Sequence, residues 1–269
     1  MEIFYLVLLI VVVSLGPGLL PQVFVNRVSS QGLADLTGFA SGLLLVSAFV
    51  VVVPEGFHTA AESGGGFAFD PVVLGLAGLA GFSLLLVLEG WGIGHAVHEE
   101  HHDHPHGHPH VHHGPTGWML VTGLSIHAAT DGLAIGSAAA GGGVVVTTTV
   151  FLAVLIHKAP AAFSLGVFSM HERQNRNESV RDVVIFALST PVMIMIAFYA
   201  LADLGRQTIG LALLFSAGTF LYVATVDTLP DIHNPETGRE ALRNVLIGVG
   251  ILTLILVGAD YMGLQEHAH

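Results

Sequence analysis

Eight runs of apolar residues, each about twenty residues long, recur along this 269-residue chain. A helix of roughly 20 apolar residues is what it takes to cross the hydrocarbon of a bilayer. In lipid, every backbone N–H and C=O must find its partner within the helix or within a closed barrel. The runs lack the apolar/polar alternation of barrel strands, so the expected fold is an all-α polytopic membrane protein. Only 10% of the residues are charged, against roughly 25% in soluble domains. The predicted helices cover about 3–25, 36–55, 71–94, 118–140, 144–170, 183–204, 209–230 and 245–262, in one transmembrane domain over residues 1–269. The first run has no basic leader and no small-residue cleavage site, and reads as a retained helix rather than a signal peptide.

Eight spans put both termini on one side. Arg27, Arg173, Arg176, Arg181, Arg239 and Arg243 fall in odd-numbered loops, and only Arg206 falls in an even-numbered one. The positive-inside rule then places the odd loops in the cytoplasm and both termini outside. Lys and Arg together number 8 against 20 Asp and Glu, which argues against a nucleic-acid partner. There is no cysteine, so disulfides and thiolate metal sites are excluded.

Two self-similarities suggest an inverted repeat. Gly42 precedes Pro54-Glu55 in the second run at the spacing by which Gly218 precedes Pro230-Asp231 in the seventh. His127 precedes Gly136 in the fourth run by the offset between His157 and Gly166 in the fifth. Both pairs of helices are antiparallel in the topology above. The expected arrangement is 3+2+3, two three-helix halves related across a central pair, with a site at the repeat interface near the midplane.

The fourth run carries HAATDG and the fifth HKAPAA. His127 and Asp131 are four residues apart and share a helix face. His157 sits at the matching point of the next helix, with Lys158 beside it. Ionisable groups at bilayer depth are costly and usually line a pathway or hold an ion. Imidazole, carboxylate and a facing imidazole form an N/O site for a divalent transition metal, and such sites take Zn2+, Fe2+, Mn2+, Co2+ and Cd2+ alike. Ser189 and Thr190 on the sixth helix are candidates to contribute. Glu55 and His58 close the second helix on the outer side; Asp227, Asp231 and His233 close the seventh on the inner side; Glu89 stands near the end of the third. These are candidate way-stations along a pathway. The segment 95–115 is low in complexity, with His95, His98, His101, His102, His104, His106, His108, His110, His112 and His113 among prolines and glycines. It has too little apolar content to pack and is expected to be a disordered cytoplasmic loop that binds metal weakly. HEEHH within it satisfies the metalloprotease string by composition, without an amphipathic helix to present both histidines.

HAATDGLAIG and HKAPAAFSLG together resemble the ZIP (Zrt/Irt-like) divalent metal transporters, and the branch with HKAPAA on its fifth helix above all. VVPEGFH and FLYVATVDTLPD look like the corresponding segments of the second and seventh helices, so the resemblance runs through most of the chain. It implies an alternating-access carrier moving Zn2+ toward the cytoplasm, with metal held between helices four and five, and a homodimer. Ala128 stands where the family often has Asn, and Lys158 and Ala161 stand where it often has carboxylates. Many members hold two metals bridged by the acid that Ala161 lacks. The expectation here is a single-metal site, with the Lys158 ammonium in place of the second ion.

Two other classes fit the same residues. One is an intramembrane zinc hydrolase, with His and Asp holding a metal that activates water; the other is a metal sensor or receptor without flux. The carrier reading, not an enzyme, is the expected one. Sparse Lys beside Arg and the compact length suggest a prokaryotic cell membrane.

Overall fold

The computed structural model describes residues 3–23, 30–61, 70–93, 117–141, 143–173, 175–235 and 237–261; the statements below concern these. Among them there are helices and no strands. Helix α1 covers Ile3–Leu19 and tightens into a 3-10 turn at Leu20–Gln22. Helices α2 (Ser30–Val46) and α3 (Val53–Ala61) are joined by a π-helical stretch, Ser47–Val52, into one rod. Then come α4 (Pro71–Gly90), α5 (Gly117–Gly141), α6 (Gly143–Arg173), α7 (Arg176–Ala202), α8 (Arg206–His233) and α9 (Gly238–Tyr261).

Local chemistry sets the boundaries. Asp70 caps α4 by accepting from the Val72 N–H at 2.9 Å, and Pro71 occupies the first turn, where its missing N–H is harmless. Asn175 caps α7 by accepting from the Asn177 N–H at 3.0 Å. Gly143, at φ +72°, makes the turn between α5 and α6 in a conformation that other residues adopt at a cost. Two expectations change. The charged stretch from His171 to Asp182 was expected as a loop; instead α6 runs to Arg173 and α7 begins at Arg176. Two of its charges, Arg173 and Arg181, pair with fully buried Asp182, which accepts from Arg173 Nε (2.8 Å), Arg181 Nη2 (3.3 Å) and Ser169 Oγ (2.7 Å). The second rod also continues past Pro54 to Ala61. Proline has no N–H to donate and crowds the carbonyl four residues back. The wider π turn directly before it relieves both problems, with the Val53 N–H reaching Ala48 O.

Seven segments are long and apolar enough to cross a membrane: Ile3–Gln22, Gly38–Ala61, Pro71–Gly90, Gly143–Met170, Arg176–Ala202, Arg206–Val226 and Gly238–Gly258. Large apolar side chains such as Val72, Leu76 and Leu79 on α4 and Leu254 and Ile255 on α9 lie exposed on the outside, the surface that lipid would cover. Helix α5, which carries His127 and Asp131, is not among the seven.

The helices pack in two groups. Helices α1, α5, α6 and α7 form one, with α5 lying along α7 and α1 along α6. The rod α2–α3 with α4, α8 and α9 forms the other, with α4 along α8 and α2 along α9. Within each group, backbones approach through glycine. A methyl on Gly166 would strike the Gly18 carbonyl of α1, and one on Gly136 would lie 2.8 Å from Ile194 O of α7. One on Gly42 would strike the Val245 carbonyl of α9, and one on Gly218 the Gly78 carbonyl of α4. Small residues are how helices gain close contact where lipid is as apolar as leucine. Between the groups, α5 meets α8 and α2 meets α6, and there side chains do the packing, as where Ile209 covers Gly141.

Candidate metal site

The α5–α6 hairpin places His127 and Asp131 one turn apart on α5 and faces them with His157 and Lys158 of α6. Asp131 and Lys158 are fully buried, and His157 nearly so. His127 Nε2 is 3.8 Å from Asp131 Oδ1, and His157 Nε2 is 3.4 Å from Asp131 Oδ2. One ligand atom from each of the three residues lies within 4.8 Å of the others. Among the described residues this is the group of His and acidic side chains close enough together to share a metal ion.

The hydrogen bonding leaves the cluster unfinished. His157 Nδ1 lies 3.0 Å from Ala153 O one turn back. Nδ1 therefore carries the proton in a neutral ring, and the Nε2 lone pair points at the cluster. His157 Nε2, His127 Nδ1 and Asp131 Oδ1 are buried without a hydrogen-bond partner. Unmet polar atoms in an interior are expensive, and one on each of the three clustered residues leaves the cluster open to a further partner. Asp131 Oδ2 is the engaged oxygen: Lys158 Nζ donates to it at 3.2 Å. The same ammonium lies over the Phe186 ring of α7, 4.2 Å from its centroid.

The remaining predicted residues lie elsewhere. Thr190 is buried and donates its hydroxyl to Ala128 O at 2.7 Å, which ties α7 to the middle of α5. Ser189 donates to Ile185 O in its own helix. Glu55 accepts from Thr59 at 3.1 Å on α3, and His58 is exposed there. Glu89, near the end of α4, accepts from the Tyr222 hydroxyl of α8. Asp227 and Asp231 fall in the last turns of α8, and His233 is exposed at its end. The loop histidines from His95 to His113 lie outside the described residues.

Sequence reasoning missed Phe186 and Asp182. Both sit on α7, four residues apart and buried, one over Lys158 and the other holding Ser169 and Arg173 of α6. A lone acid at the edge of an apolar run was the available signal for Asp182; nothing local distinguishes Phe186 from a lipid-facing ring.

Residues 93–258 match the family described as ZIP Zinc transporter. The chain is also similar to three proteins called Zinc transporter ZIP9. The one from Micropogonias undulatus is 34% identical over 246 residues, which cover 76% of this chain and 77% of that protein. The one from Xenopus tropicalis is 32% identical over 250 residues, 78% of this chain and 80% of that protein. The one from Macaca fascicularis is 40% identical over 147 residues, 50% of this chain and 63% of that protein.

Proposed function

Because the chain belongs to the ZIP family of zinc transporters, we propose that His127, Asp131 and His157 take up one Zn2+ at a time as transported substrate and pass it toward the cytoplasm. The observation that carries this reading is that the three residues clustered between α5 and α6 each keep a buried polar atom without a hydrogen-bond partner. Two imidazole nitrogens and one carboxylate suit a borderline-soft dication, and three protein ligands leave a position open for water or exchange. Transport requires that the ion also leave, so an incomplete coordination shell is an asset. Lys158 stands where a second cation would need to be, which favours a single-metal site.

Access alternates between the two faces by displacement of one helix group against the other. In support, the glycine-mediated backbone contacts lie inside the groups, while side chains fill the seam at α5 with α8. Helix α5, 25 residues long, is the eighth span and carries His127 and Asp131. The 3+2+3 repeat draws support from packing. α5 lies on α7 as α6 lies on α1, and α8 lies on α4 as α2 lies on α9. Gly136 and Gly166, like Gly218 and Gly42, occupy equivalent crossings. The hydrolase alternative wants a general base beside the metal, and the nearest further group is a cation already paired with Asp131.

Zinc uptake by proteoliposomes containing the purified chain tests the reading. His127→Ala should lower uptake to the level of protein-free vesicles and abolish high-affinity zinc binding. Undiminished flux in that variant would refute the site.

A further inference from the structure

The Asp131–Lys158 pair joins a proposed metal ligand to a fixed cation. A carrier must cross in two forms, loaded and empty, and the empty form of a cation carrier leaves its carboxylate bare in the membrane. An isolated buried charge is strongly unfavourable. Here the carboxylate is divided. Oδ1 has no hydrogen-bond partner and faces His127, while Oδ2 is held by an ammonium on the adjacent helix. That ammonium has a second seat, the face of Phe186. Ring faces hold cations best where water is excluded, and Phe186 is fully buried.

We propose that Lys158 is a tethered counter-ion that takes the place of the metal charge at Asp131 whenever the site is empty, with Phe186 as its seat when metal claims the carboxylate. This deepens the zinc-carrier reading and rests on it. No proton is lost or gained; the ammonium stays charged in both forms and changes only how closely it holds Oδ2. The pair lets the metal-free carrier return, and it also competes with metal, which speeds release. The seat on Phe186 is what keeps that competition from excluding metal altogether. It is supplied by α7, a helix that contributes no ligand to the cluster.

Two variants of the full-length chain, reconstituted beside wild type and His127→Ala, test this with zinc alone. Lys158→Met removes the charge and keeps much of the bulk; Phe186→Leu removes the seat and keeps the charge. Lys158→Met should bind zinc at least about tenfold more tightly, since a like charge beside the metal is gone. Its net uptake into zinc-free vesicles should fall at least about fivefold. Exchange of labelled for unlabelled zinc, which never requires the empty carrier to return, should be retained. Phe186→Leu should bind zinc several-fold more weakly, the opposite direction, which general damage to the fold would not give in a pair. If Lys158→Met does not fold, Lys158→Gln takes its place, with the same tightening expected. Unchanged affinities, or net uptake and exchange falling together in Lys158→Met, would overturn the inference. Zinc binding and uptake undiminished in His127→Ala would instead remove the carrier site itself.

Discussion

At the scale of residues, Asp131 is the side chain on which the site turns, because it is the carboxylate that two imidazoles and an ammonium all approach. Its position depends on a backbone held from outside α5. Thr190 reaches across from α7 to the carbonyl of Ala128, the residue after His127. Thr190→Val keeps the shape and removes the bond. It should destabilise the protein by about 1 kcal/mol, seen as a lower melting temperature in detergent, and Thr190→Ser should recover most of the loss. His127, Asp131 and His157 were legible in the chain because helical spacing and hydropathy together put them at one depth and on facing helices. The seat of Lys158 on Phe186 was not. A lysine beside a ligand has several ways to discharge itself, and choosing among them takes the placement of Asp131 Oδ2 and of Phe186, which lie 27 and 28 residues away along the chain.

At the scale of elements, the helices follow from backbone satisfaction in lipid, and the apolar runs therefore reveal them. Their ends and joints depend on side-chain chemistry that hydropathy does not see. Asp182 gathers Ser169, Arg173 and Arg181, so a charged stretch becomes helix. The π stretch before Pro54 lets one rod absorb a residue that hydropathy reads as its end. Glycine spacing hinted at the crossings, yet only packing separates the glycines that matter from those that do not. Gly166→Ala would force α6 off the Gly18 carbonyl and should cost about 1 to 3 kcal/mol, as overpacking does. Gly250→Ala on α9, with nothing within 4 Å, should be neutral or stabilising by up to about 1 kcal/mol. Thermal denaturation of both variants in the same detergent makes the comparison.

At the scale of the whole molecule, two bundles meet along a seam, and the absence of native cysteine makes the seam open to testing by engineered disulfides. A Cβ at Gly141 would lie 3.6 Å from that of Ile209, across the seam, and one at Gly38 would lie 3.5 Å from that of Asn244, inside one bundle. Both separations suit a disulfide. Oxidising Gly141→Cys/Ile209→Cys should stop zinc uptake, reversibly with reductant, while Gly38→Cys/Asn244→Cys should transport in either state. Equal transport by both oxidised proteins would exclude movement along this seam. The Asp131–Lys158 contact has a consequence at this scale too. With neutral imidazoles, the empty site holds one negative and one positive charge, 3.2 Å apart, and is electrically neutral. With Zn2+ aboard it carries two positive charges. A transmembrane voltage does about 2.3 kcal/mol of work per elementary charge per 100 mV. In the proposed carrier cycle it would act on the loaded crossing and leave the return untouched, so a membrane potential negative on the receiving side would rectify zinc movement.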